Sequence, residues 1–466
     1  MQQQRIAIIG GVAAGPAAAA EAARVDPNAD VVLFEQGEHI SYSACEMPHY
    51  AAGGMANHRD LILFEPAEFE RAKGVTVRTR HRVEAILPDR NRLVVRRLTD
   101  GEVSHERFDK FILATGARSR IPEMRGVGAD GVYPVRRLDD LIHLRAKLDR
   151  EEVKHAVILG GGYIGLEMAE ALRRRGIRVS IVEPAGGLMN RHIDDALRPF
   201  IHTRLREHGV ALRLEAPVAI ETDRQGRLKA VRTDRGELIY SDVVLLCTGI
   251  VPNTDLATAA GVRLGESGAV ACDESMRTNL PNVWVCGDVC EVTRMIDGAK
   301  INLPLSPVAF RTARVAARNA ARKGRGAPER FHGVVVASAV KVFGLEVATV
   351  GLRMQEAIDA GFDCFDIVVK HVSRGSSAPE SAEIHVRLVA EHRTGRLLGG
   401  EIIGNDGAAM RVNVLVPILR QRGTVFDLMD LDLVYNPPVS PARDVLTLAA
   451  SAAAKEVSHR MRNPRW

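Results

Sequence analysis

A glycine-rich turn between an apolar strand and an alanine-rich helix constrains this chain most, because the same turn occurs twice in the same setting. The first copy, Arg5-Ile-Ala-Ile-Ile-Gly10-Gly11-Val12-Ala13-Ala14-Gly15, reads as a buried strand entering a tight turn, followed by a helix over residues 16–25. A second strand over 31–35 ends in the acid Glu35. Glycines let backbone amides approach a pyrophosphate at a helix N-terminus, and an acid about 20 residues on accepts ribose hydroxyls. The middle glycine of the usual fingerprint is Val12, so this copy alone is a weak match. The second copy, Ala156-Val-Ile-Leu-Gly160-Gly-Gly162-Tyr163-Ile164-Gly165, carries the full GxGxxG. A helix to residue 175 and a strand over 178–183, ending in Glu183, follow it.

Both copies continue alike. Alternating charged segments, broken by Pro88-Asp-Arg-Asn and Thr99-Asp-Gly in the first and by Asp223-Arg-Gln-Gly and Thr233-Asp-Arg-Gly in the second, predict a β-meander in each. The first closes at Phe111-Ile-Leu-Ala-Thr115-Gly116 and the second at Val243-Val-Leu-Leu-Cys-Thr-Gly249. A repeat in register is far more specific than either fingerprint. Two dinucleotides held face to face imply FAD in the first unit and NAD(P)H in the second. Glu183 would repel a 2′-phosphate, which predicts NADH over NADPH, with Arg191 the nearest downstream arginine able to reverse that. Asn282-Val-Trp-Val-Cys-Gly-Asp288 is a further short strand where the chain returns to the first unit. Asp288 suits a polyhydroxyl chain such as ribityl, or a helix N-cap.

Just past the first unit, Ser41-Tyr-Ser-Ala-Cys45-Glu46-Met-Pro-His49-Tyr50 puts one cysteine within reach of a bound flavin. A cysteine at a helix start is favoured as thiolate, the form that attacks disulfide sulfur. Five positions on stands Tyr50 and not a second cysteine, so no local disulfide forms. The oxidised partner is then a substrate thiol, a persulfide sulfur or the oxygen of a sulfenic acid. Glu46 and His49 flank it, His49 in a structural or solvent-facing role. Cys247, Cys272, Cys286, Cys290 and Cys364 lie far apart, as free thiols of a reducing compartment do. Cys286 and Cys290 have no matching second pair, and no metal is expected.

The 466 residues make room for three domains at ~150 residues each. Net charge is +5 with Lys and Arg scattered, which points to neither nucleic acid nor a membrane surface. No signal-peptide pattern and no bilayer-length apolar run is present, so a cytoplasmic protein is expected. A helix over 308–322 precedes the linker-like Lys323-Gly-Arg-Gly-Ala-Pro. Strands are then predicted over 334–342, 348–352, 365–370, 383–390 and 397–403, with a helix over 408–422. The expected fold class is α/β: two Rossmann-like dinucleotide-binding domains plus a C-terminal α+β domain. FAD takes 1–118 with 250–325, NAD(P)H takes 119–249, and the third domain takes 331–455.

These residues resemble the pyridine nucleotide disulfide oxidoreductase superfamily, in its single-cysteine branch of coenzyme A disulfide reductases, NADH oxidases and peroxidases, and persulfide reductases. The marks are the two glycine turns, Ser41-x-x-x-Cys45, Ala114-Thr-Gly116, Thr248-Gly249, Gly287-Asp288 and Asp432-Leu-Val-Tyr435-Asn-Pro-Pro-Val-Ser-Pro-Ala-Arg-Asp444. The resemblance implies a homodimer with the third domain as its interface, Tyr435 serving the partner's flavin site, and Tyr163 as a movable cover for nicotinamide. Val83 is assigned to the cofactor contacts, and Glu167 to a helix surface charge. The implied activity passes electrons from NAD(P)H through FAD to Cys45, which reduces a small disulfide, persulfide or polysulfide.

Three departures shape the substrate. Ala13 stands where the oxidase and peroxidase group has histidine, and the second family tyrosine is missing near Ser376-Ser-Ala-Pro379. The first helix, Ala17-Ala-Ala-Ala-Glu21-Ala-Ala-Arg24, offers an anionic substrate one arginine and a repelling glutamate. Small substrates are therefore expected, with Arg24 or Arg311 for an acidic group. The alternatives are a coenzyme A disulfide reductase, an NADH oxidase or peroxidase, a flavin electron-transfer partner, or a redox sensor with an idle Cys45.

Overall fold

The computed structural model describes residues 3–150, 152–184, 186–324 and 326–462. Met1, Gln2 and Arg325, which enter the readings of the N-terminus and the linker, lie outside the described residues.

Strand Arg5–Ile9 has a parallel neighbour on each side, Asp30–Phe34 and Lys110–Leu113. Thr76–Arg78 and Val283–Val285 close the edges, in the order 283–285, 110–113, 5–9, 30–34, 76–78. Central parallel strands are covered on both faces, which is why they read as unbroken apolar runs. Ile6, Ile8, Leu33 and Ile112 are fully buried, each worth ~1.5–3 kcal/mol of transfer free energy. The second unit repeats the plan with 210–213, 178–182, 155–159, 243–246 and 132–134, all parallel. Both expected meanders form, over His81–Leu87, Arg92–Arg97 and Val103–Arg107, and over Pro217–Thr222, Leu228–Thr233 and Leu238–Tyr240.

Helix Ser306–Ala321 lies along Ala14–Val25 in the first unit. Alanines dominate the buried side of both helices, among them Ala18, Ala19 and Ala22 against Ala309, Ala313 and Ala316. Small side chains let the two axes come close.

The third sheet is antiparallel, in the order 338–342, 345–351, 397–404, 383–391, 364–372. Its first strand starts at Ser338 instead of residue 334, because Val334 is drawn into a bridge with Arg294 and Val336 takes a left-handed backbone (φ 59°). Helices Ala408–Arg420 and Val445–Arg462 pack on this sheet. Sheet residues Val340, Val342, Val347 and Ile403 share one core with the second unit and with Met47 and Tyr50. Asp194 fastens the same seam. Its amide donates to Glu401 (2.9 Å), its carboxylate accepts from the Met354 amide (2.9 Å), and it pairs with buried Arg387. Among the described residues, no helix is long and apolar enough to cross a membrane.

Candidate active site

One cleft gathers the predicted residues of the first unit. Gly10, Gly11, Val12, Ala13 and Ala14 line it from the turn, Glu35 from the second strand, and Thr115 and Gly116 from the closing strand. Asp288 and Cys45 stand in the same wall. Gly15 works from behind, since a Cβ there would lie 1.7 Å from the Gly10 carbonyl oxygen. The Glu35 carboxylate accepts from the amides of Gly11 (2.7 Å) and Gly37 (2.6 Å). Burial raises its pKa, and those two amides oppose the rise. Asp288 sits in the single turn Gly287–Val289 and caps no helix; its carboxylate takes Arg136 Nη2 at 2.5 Å. Val83 lies elsewhere. It is buried in strand His81–Leu87 opposite Val95, outside the cleft lining.

Cys45 is the exposed thiol among the six. Burial pushes Cys247 and Cys272 up to about 12 and raises Cys286, Cys290 and Cys364 as well, which holds those five as inert thiols. The helix at Cys45 is short: a turn over Ala44–Glu46 runs into Met47–Ala51. Its dipole is correspondingly small. The long helix at this point is Ser306–Ala321, whose first residue puts Oγ 3.5 Å from Cys45 Sγ. Negative charge is favoured at such a helix start. His49 and Glu46 are exposed, the His49 ring lying against Gly54.

The second unit copies the first in detail. A Cβ at Gly165 would meet the Gly160 oxygen at 2.1 Å, and the Gly161 amide donates to Glu183 at 2.5 Å. Gly160 and Gly249 both adopt left-handed backbones, and Gly162 caps the helix Tyr163–Arg174. Ile164 is exposed on that helix. Tyr163 is not a free cover, because its hydroxyl lies 2.6 Å from Ser338 Oγ in the third sheet and its ring meets the His192 ring at a tilt of 52°, centroids 4.5 Å apart. His192 is kept neutral, pushed down to about 4 by burial and by Arg353 and Arg191. Tyr435 stays apart from the cleft, 58% exposed beside exposed Val434 and Val439.

Comparison with known proteins decides the family. Residues 4–320 match the model of the pyridine nucleotide-disulphide oxidoreductases, and 337–446 that of their dimerisation domain. The chain belongs to this family. It is 33% identical over 448 residues, 96% of this chain and 98% of the other, to an NAD(P)H coenzyme A polysulfide/persulfide reductase of Pyrococcus horikoshii. A coenzyme A disulfide reductase of Staphylococcus epidermidis is 25% identical over 95% of this chain and 98% of its own. Among solved structures, the NAD-dependent persulfide reductase from A. fulgidus superposes with a TM-score of 0.93 at 30% identity, covering 98% of this chain and 84% of that one.

As a member, the chain is an oxidoreductase that binds FAD and NAD(P)H. The donor set in the cleft fits FAD: turn amides for the pyrophosphate, Glu35 for a ribose, Asp288 for ribityl and Arg136 as a nearby cation. Among the described residues, no group of three His, Cys, Asp or Glu side chains is arranged for a metal ion.

Three readings change. The first helix is no open substrate face, since Ala17, Ala20 and Ala23 pack against the core and Glu21 is paired with Arg24 and Arg318. Arg311 is also engaged, donating to the Gly333 carbonyl (2.9 Å) over the Phe331 ring. Glu167 is no surface charge: it is half-buried, and burial, then Glu170, pushes it up to about 7. Ser306 and Arg136 were missed. Leu303-Pro-Leu-Ser-Pro leads into helix Ser306–Ala321, but nothing local in it points at Cys45.

Glu167 generates a pH prediction. Its folded pKa lies above its ordinary value, so the stability it contributes is present at low pH and lost as pH rises through about 7. Glu167→Gln removes that loss. Between pH 5 and 8, urea unfolding should find the variant gaining on the native chain by roughly 2 kcal/mol; parallel curves would mean that the carboxyl is solvated.

Proposed function

We propose that Cys45 is the redox centre of an NADH-dependent reductase of low-molecular-weight persulfides, polysulfide and disulfides. The observation that carries this is a single exposed thiol in the wall of the FAD-type cleft, with Ser306 Oγ 3.5 Å away. As thiolate, Cys45 attacks one sulfur of the substrate, the S–S bond breaks, and the leaving thiolate takes a proton. FAD and NADH, when bound, would supply the two electrons that break the resulting Cys45 S–S bond, returning Cys45 to thiolate and releasing the second sulfur, protonated, as thiol or sulfide. Ser306 holds the sulfur by its hydroxyl. Ala13 carries no donor for a sulfenate, so peroxide and oxygen are the slower substrates.

The division into 1–118 with 250–325, 119–249 and 331–455 is part of this proposal, as is a homodimer in which Tyr435 reaches the partner's cleft and protonates the leaving thiolate. Exposed Tyr435, Val434 and Val439 on one loop favour that reading. With Glu21 neutralised, the first helix gives no ground for rejecting coenzyme A derivatives. The polysulfide/persulfide reductase of Pyrococcus horikoshii is named for coenzyme A, so its persulfide and disulfide join the substrates proposed.

Cys45→Ser should keep its flavin and still bleach it once with NADH, while turnover falls to background with coenzyme A disulfide, glutathione disulfide, glutathione persulfide and polysulfide. Native-like turnover with any of them would end the proposal.

The cofactor preference follows from Glu183, whose carboxylate is held beside the turn by the Gly161 amide. Steady-state kinetics should give NADH at least a tenfold advantage in kcat/KM, about 1.4 kcal/mol, and Glu183→Ala should narrow it. A preference for NADPH would mean that the acid does not face the ribose.

Tyr435→Phe should slow turnover by about 100-fold, as expected for lost acid catalysis. In a mixed dimer of Cys45→Ser and Tyr435→Phe chains, one site regains both groups if Tyr435 acts across the interface. Activity near half the native value is expected, whereas activity near half the Tyr435→Phe level would assign the tyrosine to its own chain.

A further inference from the structure

A second hollow opens where the loop between strands Glu291–Thr293 and Lys300–Asn302 meets the third sheet. Arg294, His332, Arg396, Arg420 and Arg422 stand in its walls. The carboxylate among them, Asp297, is already taken, bound by Arg294 through Nε (3.0 Å) and Nη2 (2.6 Å). Arg294 also reaches Glu356 and is thereby neutralised. Among the described residues, Arg396, Arg420 and Arg422 form no ion pair. Arg396 donates Nη2 to the Ile296 carbonyl at 2.9 Å, while its Nε is buried with no partner. Arg420 touches Met295 Sδ at 3.8 Å. Burial and the charge of Arg422 both lower the pKa of Arg396, and burial and Arg420 do the same to neighbouring Arg311. Cations are crowded here, and Glu391 opposes the shift of Arg396 only from a distance, without a direct ion pair.

The backbone adds an independent sign. Helix Ala408–Arg420 ends with the Arg422 amide donating to the Leu419 carbonyl and the Gly423 amide to that of Ile418. Glycine is the usual residue at the left-handed position of this motif. The chain carries Arg422 there instead, at φ 56°, a conformation that L side chains avoid. Strain of that kind gathers at binding sites.

The plainer account is that a cation near a helix C-terminus is favoured by the dipole. It covers Arg420. It leaves a buried, unanswered Nε and a strained arginine unexplained, and it does not bring three guanidinium groups together. An anion with several oxygens accounts for all three features, because guanidinium planes match phosphate oxygens two at a time. We propose that this seam binds a phosphate-bearing small molecule, at a site separate from both dinucleotide turns.

Isothermal titration of the flavin-loaded protein with inorganic pyrophosphate, in low-chloride buffer and with NAD⁺ saturating, tests this. The NAD⁺ fills the second turn, so heat that it abolishes belongs to that turn and overturns the proposal. The expected result is saturable binding, one pyrophosphate per chain, weakened at least tenfold in Arg420→Gln/Arg422→Gln and again in Arg396→Gln. The exposed pair keeps the test valid if Arg396→Gln fails to fold. Equal affinity in the native chain and the exposed double variant, or no saturable heat, would overturn the proposal. ADP as a second probe separates the sources of the phosphate: affinity equal to that of pyrophosphate assigns a free anion, and tighter binding assigns a nucleoside carrier.

Discussion

Two missing side chains hold the molecule's plan. At Gly15 and Gly165 a methyl group would fall 1.7 and 2.1 Å from the carbonyl oxygens of Gly10 and Gly160. Their absence lets each helix start directly on its strand, with amides free at the turn. The same closeness fixes the acid, since Glu35 and Glu183 each accept from the second glycine of their turn. Strand, helix and carboxylate therefore form one rigid unit, built twice. Where the units differ, chemistry enters: the first adds Asp288 and Cys45, and the second is tied to the third sheet through Tyr163 and Asp194.

Cys45 differs from the other thiols in exposure as much as in placement. Five other thiols are withdrawn into the protein and raised by burial, which leaves Cys45 as the thiol open to solvent. The short helix holding Cys45 is braced by Met47, Tyr50 and Ala51 in the core shared by the second unit and the third sheet. The thiol is exposed, but its support is not. A reaction that needs sulfur at a fixed distance from a flavin depends on that combination.

Much of this was legible in the sequence because it is local. Gly10 to Glu35 and Gly160 to Glu183 encode turn, helix and acid within short windows, and both meanders announce their turns. Cys45 and Asp288 could be read from their immediate neighbours. What stayed hidden depends on distant partners. Ser306 meets Cys45 from 261 positions away, and Arg136 meets Asp288 from 152. The first helix displayed its alanines without revealing that helix Ser306–Ala321 covers them, and Glu167 looked like a surface residue until its burial raised it. Val83 fitted its strand better than the cofactor wall.

The first unit is interrupted, and this gives the protein an order of assembly. Strand Val283–Val285 completes the first sheet, and Asp288, Pro304, Leu305, Ser306 and Ala309 complete the cleft, yet all are synthesised after the entire second unit. On the ribosome, residues 5–113 emerge as a sheet lacking an edge strand and a cleft lacking a wall. The second unit has all its strands between 132 and 246 and can fold first, although its turn comes later in the chain. A nascent chain therefore has no finished flavin cleft until about two-thirds of it has been translated, and truncation between residue 246 and Ala309 leaves the strands of the second unit complete beside an unfinished first cleft.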